Sequence, residues 1–283
     1  MKKILLTTTA LVATGGFAMA EVTLNGSADM GLKYSDSGVN KTTVESDVDV
    51  NFAASGETDG GIAWTAAASI GNDTNSANSG VSAGTSDSGS VSITGDFGTV
   101  SVGDVDSAIS AVGIADVGYD GIGIDNVAEG SRAPSNSDVR WAYAMDGISL
   151  VATTNTHSDA GGVSVGWTSG ALSIKVAHNS DGNTGGVTNN AASVSTSVGG
   201  MSVAVMVADS STASIGSSQG MAVSMPMDGL GTVTFALADS HSDTDASYGV
   251  GFSKSLGGGA TLAGGYGTAD GVAVGDLGIS FSF

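Results

Sequence analysis

The chain has 283 residues, 45 of them glycine and two proline, with no cysteine and a formal net charge of −20. Disulfides therefore staple no part of the fold, and the scarcity of Leu, Glu, Lys and Arg argues against helical bundles and coiled coils. The acidity excludes nucleic acid as a partner, because phosphate backbones would be repelled; it favours cations as permeating ions, bound divalents or plain counterions.

At the N-terminus, Lys2 and Lys3 precede a short, mostly apolar run from Ile4 to Phe17 that ends in Ala18-Met19-Ala20. A basic start, a run too short and too broken to span a bilayer, and a small-x-small site together predict a Sec signal peptide over 1–20. The mature chain over 21–283 then carries six basic residues against 28 acidic ones, a balance of −22. After Ala20 no apolar run approaches the roughly 20 residues of a membrane-spanning helix.

Period-two alternation begins at once. Val22, Leu24, Ala28, Met30, Leu32 and Tyr34 share one parity, while Thr23, Asn25, Ser27, Asp29 and Lys33 share the other. That is a strand with one apolar and one wet face. Val44, Val48, Val50 and Phe52 repeat the pattern against Glu45, Asp47 and Asp49, and similar runs continue through Val139 to Met145, Val163 to Trp167, Met201 to Val207 and Val233 to Leu237. The last run is Leu277 to Phe283. About sixteen strands of roughly eight to twelve residues result, near the length a tilted strand needs to cross hydrocarbon.

Tight turns such as Asp146-Gly147, Gly199-Gly200 and Asp228-Gly229 alternate with longer polar segments, among them Asn72 to Gly89, Asp104 to Ser137, His178 to Asn189 and Asp209 to Ser218. Asp-Gly and Gly-Gly supply the positive φ of two-residue hairpins. Short connections at one end and long ones at the other predict an all-β, antiparallel up-and-down barrel standing in a membrane. An open edge in hydrocarbon would leave unpaired backbone groups, so the first and last strands are expected to pair.

The same parity places Asp29, Lys33, Glu45, Asp47, Asp49, Arg140 and Lys175 on the lumen wall. Lys254 falls on the apolar face, but near a tight turn where its stem can snorkel. Aromatics are only 5% of the chain, thin for two membrane girdles, yet Phe52, Trp64, Phe97, Trp167, Phe252 and Phe281 fall near the turn ends of their strands. The alternative is that they form the core of a soluble β protein.

The mature start Glu21-Val-Thr-Leu-Asn-Gly-Ser-Ala-Asp-Met-Gly, the stretches Gly56-Glu-Thr-Asp-Gly-Gly-Ile and Asp96-Phe-Gly-Thr-Val-Ser-Val-Gly-Asp104, and the end Leu277-Gly-Ile-Ser-Phe-Ser-Phe283 carry a family resemblance. The chain resembles the Gram-negative general diffusion porins, in particular their alphaproteobacterial branch. The resemblance implies a 16-stranded outer-membrane barrel, a homotrimer, embedded in outer-membrane lipid and lipopolysaccharide and passing small hydrophilic solutes and ions. It implies a third external loop that folds inward as a constriction, here 104–137, with Asp104, Asp106, Asp116, Asp120, Asp125 and Glu129, and with Arg132 on the returning arm. Family loops of this kind often face an Arg/Lys cluster; this wall offers Lys33, Arg140 and Lys175 beside Glu45, Asp47 and Asp49, so a negative, cation-preferring lumen is expected. Phe281 and Phe283 resemble the C-terminal signal read by the outer-membrane assembly machinery.

Gly121-Ile-Gly-Ile-Asp-Asn-Val127 is similar to part of a calcium-binding nonapeptide repeat, but it occurs once where that architecture needs tandem copies. Family members bind calcium, which makes Asp120 and Asp125 candidate Ca2+ ligands, although no cofactor is required. His157, His178 and His241 have no metal-ligand spacing, and adjacent His-Ser-Asp letters point apart on a strand, so no enzyme is expected. A solute-selective channel of the same fold and a structural or adhesive surface β protein are the alternatives.

Overall fold

The computed structural model describes residues 21–73, 88–130, 136–181 and 186–283. The expected signal peptide, Arg132 and most of the segment from Asn72 to Gly89 lie outside the described residues. The alternating runs are strands: β1 (Glu21–Ser35), β2 (Thr42–Glu57), β3 (Ala63–Asp73), β4 (Ser88–Gly95), β5 (Gly98–Asp106), β6 (Asn136–Met145), β7 (Ile148–Asn155) and β8 (Ala160–Ser169). The second half adds β9 (Leu172–Asp181), β10 (Val187–Val198), β11 (Met201–Ser210), β12 (Ser217–Met227), β13 (Gly231–Ser240), β14 (Ser247–Gly257), β15 (Ala260–Ala269) and β16 (Val272–Ser282).

Each strand pairs antiparallel with its neighbours, and β1 pairs with β16 from Ser27 opposite Ser282 to Ser35 opposite Val274, so the sheet closes into a barrel of sixteen strands. The last residue joins the seam: the Gly26 N–H donates to the Phe283 carbonyl at 2.8 Å, and the Phe283 N–H to the Gly26 carbonyl at 3.0 Å. Closure leaves no strand edge unpaired, which is the condition for standing in hydrocarbon.

The alternation resolves into two faces. Leu32 is 49% exposed and Val48 42%, so these side chains point away from the protein rather than meeting in a dry core. Phe235, Leu237, Leu277 and many others do the same on every part of the circumference. A contiguous apolar surface of that extent suits lipid and would be an aggregation hazard in water. Lys254, on this face, aims its Nζ at the Gly229 carbonyl in the β12–β13 turn, 2.7 Å away, the expected snorkelling.

Connections sort by end as expected. Asp146-Gly147 (φ 48° and 81°) and Gly199-Gly200 (φ 60° and 83°) hold the paired positive φ of tight hairpins at one end. At the other end the loops are shorter than the sequence suggests: β9 runs on to Asp181, β10 starts at Val187, β11 reaches Ser210, and β12 starts at Ser217. Beyond the apolar band both faces meet water, so polarity stops alternating while the backbone ladder continues. The same applies to Asp104 and Asp106, expected in the constriction loop but found on β5, and to Ser137, which belongs to β6. A bulge between Val102 and Val105, with Gly103 at φ 125°, lets β5 resume pairing opposite Ser137 and Asn136.

Candidate functional site

The connection between β5 and β6 carries the site. It holds a 3-10 turn (Ala108–Ala111) and one short helix, α1 (Ile124–Glu129), set between Gly123 at φ 82° and Gly130 at φ 64°. Its apolar residues Ile109, Val112, Val117, Ile122, Ile124 and Ala128 are buried against Ala177, Ala191, Met206, Ala208, Ala222, Ala236 and Ala238. Strand register puts those wall residues on the face opposite Val176, Val207, Met221 and Leu237, which is the inner face of the closed sheet. Fully burying an aliphatic side chain contributes about 1.5–3 kcal/mol over leaving it in water, so this docking is a firm attachment.

Polar contacts at three points spread around the ring fix the segment. The Ala108 N–H donates to Thr153 Oγ1 on β7 at 3.0 Å. Ser218 Oγ on β12 donates to the Ala128 carbonyl at 2.7 Å. On β16, Asp276 Oδ2 accepts the N–H groups of Tyr119 (2.8 Å) and Asp120 (2.9 Å). Thr153, Ser218 and Asp276 all have inner-face parity.

Around Asp276 the wall lacks side chains, and the segment comes close. A Cβ on Gly31 or Gly278, which are cross-strand partners, would lie 2.6 Å from the Tyr119 ring. The row below pairs Asp29 with Asp47, and the row above pairs Lys33 with Asp276. Tyr119 is thus seated among carboxylates. Burial first, then the charges of Asp29, Glu45, Asp120 and Asp47, push its hydroxyl pKa well above the usual range.

The structure therefore brings together several of the predicted residues. Lys33 pairs with Glu45 at 3.0 Å and with Asp120 of the segment. Asp47 and Asp49 stand on the same wall, opposite Asp29 and Ser27 respectively. Asp116 lies against Gly121, where a Cβ would sit 2.4 Å from its carboxylate. Partial burial and the neighbouring Asp125 push Asp116 up to about 6. Arg140 and Lys175 occupy inner-face positions opposite Ser101 and Gly166, and among the described residues neither forms an ion pair with the segment's carboxylates. Among the described residues no group of three acidic or His side chains is arranged to hold a metal ion; Asp120 is engaged by Lys33, and Asp125 faces Asp116. Sequence reasoning missed Asp276, Thr153 and Ser218, and it missed the alanine-rich inner wall.

A closed antiparallel barrel with an apolar outer belt and a charged inner face is a transmembrane channel fold. A sequence model of the Gram-negative porin family matches residues 7–277, and the chain belongs to that family. Its members are outer-membrane channels and not enzymes. Solved structures of the same fold include mutants of the Rhodopseudomonas blastica porin. Two are 22% and 21% identical at a TM-score of 0.78, and a third is 20% identical at 0.77; each covers 93% of this chain and 100% of its own. No curated protein sequence matches the chain.

Proposed function

We propose that this porin passes small hydrophilic solutes and ions by passive diffusion, prefers cations, and uses the segment between β5 and β6 as its constriction. The observation that supports this is the attachment along the inner wall: contacts on β7, β12 and β16, with Val117 against Gly251 on β14, lay the segment over much of the inner circumference, where its bulk takes up lumen cross-section. The acidic groups Asp29, Glu45, Asp47, Asp49, Asp116, Asp120, Asp125, Glu129 and Asp276 outnumber Lys33, Arg140 and Lys175, and Lys33 is already matched by two carboxylates. Charges in a narrow passage with low-dielectric walls are screened less than in bulk, where the Debye length is about 8 Å.

On this reading the protein is exported by residues 1–20 and assembles as a homotrimer in outer-membrane lipid and lipopolysaccharide. Phe281 and Phe283, exposed beside the closing seam, are presented to the assembly machinery. The test is the reversal potential of the reconstituted protein in a KCl gradient. It is expected to lie on the potassium side of zero; a value at zero or on the chloride side contradicts cation preference.

A further inference from the structure

Charge on the inner wall is sorted along the barrel axis. At the tight-turn end the inward positions carry hydroxyls that pair across the hairpins: Thr94 with Thr99 at 2.9 Å, Thr168 with Ser173 at 3.3 Å and Ser197 with Ser202 at 3.2 Å. Strand register sets these pairs on the face of Arg140 and Lys175. On β2 the inward positions from the same end are Ser55, Ala53 and Asn51, and only then Asp49, Asp47 and Glu45. From Ser55 to Asp49 the wall runs about 20 Å along the strand, or about 15 Å along the axis at a tilt of about 40°.

Among the described residues, the charged inward side chains within five residues of the turn end of any strand are Lys175 and Arg140, together with Glu21 and Glu57, which are exposed at the rim itself. Asp29, Glu45, Asp47, Asp49 and Asp276 all lie further toward the loops, and Asp120 of the segment is held beside Lys33 at that level. The wall is therefore acidic in its loop half and neutral to positive in its turn half, with the two rim carboxylates left to the screening of bulk solvent.

A cation-selective zone in series with a neutral or positive one conducts unequally in the two directions. With the loop side positive, cations leave the acidic zone toward the turn end while anions are driven up to that zone and stopped, so ions accumulate at the boundary. Under the opposite polarity both ions are drawn away from the boundary, which empties. Fixed charge governs the whole passage when the Debye length is about 30 Å, at 0.01 M salt, and loses its hold when it is about 3 Å, at 1 M. Resting on the reading of the lumen as an ion passage, we infer that the channel rectifies: it carries more current with the loop side positive, passing cations from the loop end to the turn end more readily than back.

Current-voltage curves of channels in planar bilayers test this, with the same KCl concentration on both sides. Orientation is assigned through Ser37→Cys in the exposed β1–β2 loop, biotinylated, so that streptavidin added to one chamber reduces the current only of channels whose loops face it. At 0.01 M the current with the loop side positive is expected to exceed that at the opposite voltage about twofold, and at 1 M the ratio to fall to about one. Lys175→Glu is expected to abolish the asymmetry, as is the double variant Ser197→Asp, Ser202→Asp, which places carboxylates in the turn half by another route. Symmetric curves at 0.01 M, the opposite polarity, or an asymmetry untouched by both variants would overturn the inference. The reversal potential of the same channels in a KCl gradient keeps the two questions apart. If it lies on the potassium side and the curves are symmetric, only the rectification fails; if it lies at zero or on the chloride side, the reading of the lumen as cation-preferring fails and the rectification with it.

Discussion

Asp276 holds Tyr119 beside the barrel seam: the β16 carboxylate accepts the Tyr119 N–H at 2.8 Å, and the same oxygen accepts the next N–H, that of Asp120, at 2.9 Å. A buried carboxylate, 8% exposed, thus holds two consecutive backbone donors at the far tip of the inner segment. Hydrogen bonds to a charged group are worth about 1.5–3 kcal/mol each. Asp276→Ala should therefore free the tip without opening the barrel. Heat-shifted mobility is expected to persist while single-channel current becomes noisier and larger; Asp276→Asn, which keeps one acceptor, should fall between. Unchanged currents in Asp276→Ala would mean that the tip is held by other contacts.

The Tyr119 ring rests where Gly31 and Gly278 leave no side chain. Gly31→Leu puts a Cβ 2.6 Å from that ring, too close for either to stay, so the tip should be pushed into the passage and conductance should fall. Tyr119→Ala in the same chain is expected to restore it. A strong departure from additivity in this double-mutant cycle is the signature of contact, and additive losses would argue against it.

Asp116 gives the passage a pH dependence. Its carboxyl is raised to about 6 by partial burial and by Asp125, with Asp276 contributing and the Val117 N–H opposing. The folded segment binds this proton more tightly than an unfolded chain, whose value is near 3.8. Docking of the segment therefore gains stability as pH falls through about 6 toward 3.8, and loses it as pH rises through 6 and the two carboxylates repel. Cation preference should move the opposite way, growing as Asp116 ionises. Reversal potentials across this range check the sign; Asp125→Asn should shift the midpoint downward, and Asp116→Asn should flatten the curve.

Lys33 offsets Glu45 on the wall and Asp120 on the segment. Lys33→Met leaves both uncompensated, so the reversal potential should move further toward potassium. For a partly exposed ion pair the stability cost should be modest, about 1 kcal/mol. A shift toward chloride would show that these carboxylates do not face the permeating ions.

Much of the barrel is legible because lipid enforces a strict rule on one face only. Leu24, Leu32, Val48 and Phe52 reveal their strands by period two, and Asp146-Gly147 reveals a hairpin by its φ requirement. The docking surface for the inner segment obeys no such rule. Ala177, Ala191, Ala208, Ala222, Ala236 and Ala238 sit on five different strands, and an alanine at an inner position looks like a neutral filler until the segment lands on it. Asp276 looks like any other lumen carboxylate, since its role comes from two backbone donors more than 150 residues away in sequence. Lys33 and Glu45 were readable as wall residues from parity, whereas their link through Asp120 depends on where the tip comes to rest.

The central claim is that adjacent residues of one strand face opposite media, and the chain's lack of cysteine makes it directly testable. Val48→Cys and Asp49→Cys, made singly and inserted in planar bilayers, would each be treated with a membrane-impermeant, charged thiol reagent. Modification of Asp49→Cys should step the single-channel current down, while Val48→Cys should remain unreactive and its current unchanged. Equal reactivity at both positions, or current blocked through Val48→Cys alone, would contradict a wall with solvent on one side and hydrocarbon on the other.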